Sequence, residues 1–299
     1  MEQRRKNANT MRVASDHPHC VSSHKRKRRR RRNPNPLVLI LTALLIAVSF
    51  WKMTSELVDK IQSRKLMAQM ADQALVELTQ PTETQPAETQ STTPHQPKEP
   101  ASAEPMEFAP ISVDFNELLH HYPDLVAWLY CPTTSLNYPV MQTDNNQFYV
   151  DHRPDGKESA GGSLFLDCTN AWDFSDANTV IYGHDMKDGT MFGYLHNYDN
   201  REYYKKHSDI YLLTPEWNYR LEILAAAVVP DNSWLYAKRM DARQRKDWAM
   251  DVYLLSMIGT QDTADLEAEH YVTLSTCSYE YENARFVLVA SLKKLAPDQ

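Results

Sequence analysis

The sequence predicts a mostly β domain, a largely antiparallel barrel or sandwich, held on a membrane tether. Three observations predict it. From residue 111 onward, short apolar and β-branched runs are separated by Pro, Gly, Asn and Asp. Those runs do not alternate with helical patterns, so no βαβ repeat is expected. Ahead of them lies an uncharged stretch between Arg32 and Lys52, just long enough to span a bilayer as a helix.

The chain starts with a basic segment, residues 1–36. It holds 12 Lys/Arg and 2 acids, a net charge of +10, while the rest of the chain has 20 Lys/Arg against 37 Asp/Glu, a net of −17. Such a split points to two environments. A basic run such as Lys25–Arg32 also suits nucleic acid, but here it abuts the apolar stretch, so it reads as a cytoplasmic flank and no nucleic-acid partner is expected. Residues 37–53 are expected to be a transmembrane signal anchor with Trp51 at the interface. A cleaved signal peptide fits less well, because bulky Phe50, Trp51 and Met53 stand where small residues would be needed. Residues 54–78 lack Gly and Pro and read as a helical stalk. Residues 79–110 are rich in Thr, Pro, Gln and Glu and read as an extended linker that cannot bury a core.

Residues 111–299 form the expected folded domain. Asp114 caps a short helix carrying Phe115, Leu118 and Leu119. Strands are expected over 126–130, 133–142, 161–167 and 178–184, the last ending on His184. Residues 210–214 and 219–229 form a hairpin about Pro215–Asn218. Residues 240–258 read as a helix that buries Trp248, Val252, Leu255 and Ile258. A final strand pair, 271–277 and 285–290, encloses a short polar loop.

That last pair carries the strongest chemical signal. Cys277 ends one strand and Arg285 opens the next, so pairing brings both side chains to the loop end. A thiolate is the reactive form of cysteine, and a neighbouring cation favours it. The alternative is a small buried thiol beside a surface charge. Cys131 and Cys168 either pair with each other or remain buried thiols, and the four cysteines show no zinc-type spacing. Among 11 histidines, His184 stands apart. It follows Gly183 at the end of an apolar run and opens a Gly-containing loop, a position available to a cleft.

Tyr182-Gly183-His184-Asp185-Met186, Gly189-Thr190-Met191-Phe192, Thr273-Leu274-Ser275-Thr276-Cys277 and Ala284-Arg285-Phe286-Val287 together resemble a class B sortase. The resemblance covers about residues 111–295, and the 240–258 helix resembles the extra helix of that class. It implies an eight-stranded β-barrel with an N-terminal helix and an extra helix before the last strand pair. It implies a cysteine transpeptidase that cuts a C-terminal sorting signal of secreted proteins after Thr and passes the acyl group to a peptidoglycan amine. Cys277 would be the nucleophile, His184 the acid and then the base, and Arg285 the oxyanion or substrate clamp. Ser275 and Thr276, with Asn137 and Met141 on an early strand, would contact substrate. No metal and no cofactor are expected. The membrane-anchored domain would face the outside of a Gram-positive cell. Two alternatives stay open: a pilin-polymerising sortase, and a non-catalytic surface-binding module in which Cys277 is dispensable.

Overall fold

The structure, a computed structural model, describes residues 35–77, 107–259 and 265–297. The basic segment, most of the expected linker and Cys20 lie outside the described residues. The chain divides into two units at Phe50/Trp51.

Helix α1 (Pro36–Ala74) begins at a proline, which suits the first helical turn, and Asn35 Oδ1 accepts from the Leu37 N–H at 3.4 Å. It is long and apolar enough to cross a membrane, and its most apolar window is exposed.

The unit from Trp51 onward is organised around a barrel. The part of α1 expected as a helical stalk docks on it, with Ser63, Met67, Met70 and Ala74 buried. Asp59 Oδ2 accepts from Ser159 Oγ and the Ala160 N–H, each at 3.1 Å, and Arg64 pairs with Asp188 at 2.9 Å. Strand β1 (Leu75–Glu77) then pairs with β2 (Ile111–Val113). The folded unit therefore starts well before residue 111. The sequence pattern missed this because docking uses only four small or flexible side chains, Ser63, Met67, Met70 and Ala74.

Helix α2 (Phe115–His121) starts as expected, with Asp114 Oδ1 accepting from the Glu117 N–H at 3.0 Å. The remaining elements are β3 (Leu125–Tyr130), β4 (Asn137–Met141), β5 (Leu164–Leu166), β6 (Asn178–Tyr182), α3 (Arg201–Lys206), β7 (Ile210–Leu213), β8 (Asn218–Pro230), α4 (Ala242–Leu254), β9 (Tyr271–Cys277) and β10 (Ala284–Lys294). Eight strands close in the order β10-β8-β7-β3-β4-β5-β6-β9. Most pairs are antiparallel; β4–β5 and β6–β9 are parallel.

Strand alternation divides the core. Val272, Leu274, Phe286 and Leu288 point into the barrel with Leu129, Val140 and Ile181. Their neighbours Tyr271, Val287 and Val289 point outward, where Trp248, Ala249 and Val252 of α4 cover them. On another side, Trp128, Met141 and Leu213 lie in one cluster with Leu118 of α2 and Met70 of α1. Helix α4 opens on a capping box between Asp241 and Gln244 and ends four residues before the sequence suggests. Leu255 is exposed rather than buried, because the backbone leaves the helix there and the Met257 N–H bonds to Ala226 O at 2.9 Å. Ile258 is buried, but from beyond the helix.

Candidate active site

Cys277 is the last residue of β9 and stands directly opposite Arg285 of β10. The connecting turn is closed by the Ser278 N–H on Ala284 O at 3.0 Å, and Asn283 takes the left-handed conformation (φ 60°) that asparagine tolerates. Ladder register thus holds the thiol and the guanidinium at the same barrel end. β10 also pairs with β8, which sets Ala284 against Pro230 and brings in Asp231 just past the end of β8. The Asp231 carboxylate lies 3.8 Å from Arg285 Nη2.

β6 lies parallel to β9 on the other side, with Tyr182 level with Ser275. The ladder continues for one more bond, Gly183 N–H to Ser275 O at 3.1 Å, and Thr276 Oγ1 donates to Gly183 O at 2.8 Å. Gly183 is required here. A Cβ would fall 2.4 Å from Leu164 Cδ2 and 2.7 Å from Phe192 Cδ2. His184 therefore emerges where β6 has ended and the chain turns away. Its Nε2 lies 2.7 Å from Val150 O. A carbonyl only accepts, so Nε2 carries the hydrogen.

Cys277, His184, Arg285, Ser275 and Thr276 line one open cavity of about 390 Å³, together with Asp231, Tyr182, Asn146, Val150 and Phe165. Ser275 and Thr276 are nearly closed to solvent, and both hydroxyls are engaged within the protein: Ser275 Oγ with Tyr236 Oη at 2.8 Å, Thr276 with Gly183. The other two expected contacts are not brought here. Asn137 turns its Oδ1 to Trp128 Nε1 at 2.7 Å and lines a separate cavity of about 220 Å³ beside α1. Met141 is fully buried in the cluster shared with Trp128 and Met70, away from the cavity that Cys277 lines.

Behind the cavity wall sits a polar network that sequence reasoning did not find. Asp167 Oδ2 accepts from Tyr182 Oη at 3.1 Å and Asn146 Nδ2 at 3.0 Å, and its Oδ1 accepts from Lys238 Nζ at 2.6 Å and the Thr169 N–H at 2.9 Å. Burial alone would push the Asp167 carboxyl up, but Lys238 and the Thr169 donors outweigh it and hold the pKa below the ordinary carboxylate value. Burial, followed by the Asp167 charge, pushes the Tyr182 phenol up, so it stays protonated and donates. Asp231, Asp167 and Lys238 had no local signal; the fold brings Asp231 to Arg285 and Lys238 to Asp167. Cys131, Cys168 and Cys277 are free thiols.

Comparison with known proteins is consistent throughout. A Sortase domain family model matches residues 129–293. Sortase B of Listeria monocytogenes is 31% identical over 172 residues, covering 56% of this chain and 70% of that protein. The structure of a Staphylococcus aureus sortase B–substrate complex aligns with a TM-score of 0.57 at 28% identity, covering 61% of this chain and 85% of that one. A sortase B complexed with triglycine aligns equally well, at 28% identity and a TM-score of 0.57, over 61% of this chain and 86% of that one. With its closed eight-stranded barrel and its Cys, His and Arg on neighbouring strand ends, this chain belongs to the sortase family, as a class B transpeptidase.

Proposed function

We propose that Cys277 is the nucleophile of this transpeptidase, working with His184 and Arg285 on the C-terminal sorting signal of a secreted protein. The observation that carries the proposal is that these three side chains leave different strand ends and line one cavity. The Cys277 sulfur attacks the carbonyl of the scissile Thr residue, forming the S–C bond while the thiol proton passes to His184. Arg285, opposite the nucleophile, donates to the developing oxyanion; Asp231 keeps its fork oriented. The C–N bond then breaks as His184 returns the proton to the leaving amine, and a thioester remains on Cys277. An incoming amine attacks that thioester, His184 takes its proton, the C–S bond breaks and a new amide leaves. A peptidoglycan amine is the acceptor, a reading supported by the triglycine held in the related solved structure. The basic segment lies in the cytoplasm, the apolar first part of α1 (residues 37–53) crosses the membrane, and the barrel works outside a Gram-positive cell.

The test uses the full chain in detergent with peptides of the Asn-Pro-x-Thr-Asn and Ser-Pro-x-Thr-Gly types, with and without triglycine, and mass spectrometry of the products. The expected result is cleavage after Thr and a triglycine adduct. Cys277→Ala abolishes both, and Arg285→Lys loses about 10²-fold or more, because a point charge does not replace a planar fork. Unchanged turnover in Cys277→Ala refutes the assignment and favours a surface-binding module. Transfer only to a lysine side chain of a partner protein favours a pilin-polymerising enzyme.

A further inference from the structure

β6 and β9 form a parallel ladder in which alternate carbonyls of β9 are served by N–H groups of β6. Gly183 N–H serves Ser275 O at 3.1 Å. The next carbonyl on that edge is Cys277 O, and the next N–H would come from residue 185. β6 has ended at Tyr182, and the chain has already turned into the loop that His184 opens. The carbonyl of Cys277 would be left open at the point where its side chain must be held still. His196, in the 3₁₀ turn Leu195–Asp199, fills the gap: its Nε2 lies 3.0 Å from Cys277 O. Because the carbonyl can only accept, Nε2–H is the donor. The same nitrogen lies 3.6 Å from Asp185 Oδ2, and the ring packs at 4.9 Å against Phe286, the residue beside Arg285.

We infer that His196 is a positioning residue for Cys277, supplying the ladder bond that β6 cannot and joining the end of β9 to Asp185, the neighbour of His184. This rests on the reading of Cys277 and His184 given above. One imidazole thereby meets three chain segments: the strand of the nucleophile, the loop of the acid–base, and the strand of the arginine. His196 is only partly exposed, and it touches the backbone of Cys277 rather than its sulfur. Its effect is on the alignment of the thiol, so it appears in turnover more than in substrate affinity.

Two substitutions in the full-length chain separate the donor from the bulk of the ring. His196→Leu keeps apolar packing on Phe286 and removes the donor; His196→Gln retains an N–H that reaches the carbonyl. The expected result is a fall in kcat of about tenfold for His196→Leu, the factor that corresponds to about 1.4 kcal/mol, with KM within about twofold. His196→Gln recovers most of the loss. The rate of Cys277 alkylation by iodoacetamide, followed on the Cys277 tryptic peptide, changes in His196→Leu and is near wild type in His196→Gln. Equal kcat in wild type and His196→Leu, or equal defects in the two variants, overturns the inference. Cys277→Ala run alongside tells the two readings apart. If that variant still turns over peptide, the catalytic assignment fails, while the alkylation comparison still decides the role of His196.

Discussion

Two cavities of this barrel have opposite origins. The one of about 390 Å³ is built from strand ends: Cys277 closes β9, Arg285 is the second residue of β10, His184 follows β6 and Asp231 follows β8. The one of about 220 Å³ lies between the barrel and the docked part of α1 and is lined by helix side chains, Asn137 and Tyr138. At strand ends the ladder runs out, backbone groups lose their regular partners, and side chains are free to converge. The second cavity is bounded by groups already committed to packing or pairing, such as Asn137 on Trp128 and Arg64 on Asp188. The proposed chemistry uses the first, where Cys277, His184 and Arg285 converge from separate strand ends.

The sharpest way to break this comparison is to attack the support of the first cavity without touching its lining thiol. Asp167→Ala leaves Lys238 without its carboxylate and frees Tyr182 and Asn146, two cavity walls. The expected cost is about 3 kcal/mol of stability, read as a lower melting temperature, together with a raised KM. The pH dependence has a definite sign. The folded pKa of Asp167 is depressed, so its contribution is present above the unfolded carboxylate value of about 3.9 and is lost as pH falls through the folded value. Wild type should lose stability on acidification below about pH 4, and Asp167→Ala should lack that component in paired melting curves. Identical acid profiles for the two proteins would remove Asp167 from the account.

A smaller effect belongs to the second cavity. Asn137→Ala removes the acceptor for Trp128 Nε1 and should cost about 1 kcal/mol of stability while kcat/KM stays within about twofold. A large loss of kcat/KM with unchanged melting would show that the cavity beside α1 takes part in substrate binding after all.

These contrasts also mark what the sequence carries. Local patterns were legible: the Asp114 cap, the Trp248 and Val252 face of α4, and the alternation of β9 and β10 that sets Cys277 against Arg285. A period of two tells which side chains share a face, so the strand pair was sound. It does not tell what covers that face. Met141 reads as a groove residue until α1 and α2 prove to lie over it. Likewise, nothing near Asp231 or His196 in the chain marks them, because their partners lie 54 positions away in Arg285 and 81 positions away in Cys277. The docking of α1 was hidden for a related reason. Most of its surface is exposed, and Ser63, Met67, Met70 and Ala74 are its buried positions.

The most direct measurement is a map of the acyl-enzyme. The full chain is incubated with a cleavable sorting peptide and no amine acceptor, quenched in acid, digested and analysed by mass spectrometry. The expected result is a thioester on the peptide carrying Cys277, absent from those carrying Cys20, Cys131 and Cys168, and lost when triglycine is added before the quench. Turnover with no adduct on Cys277, or an adduct on another cysteine that passes to triglycine, would contradict the placement of the chemistry at the strand ends.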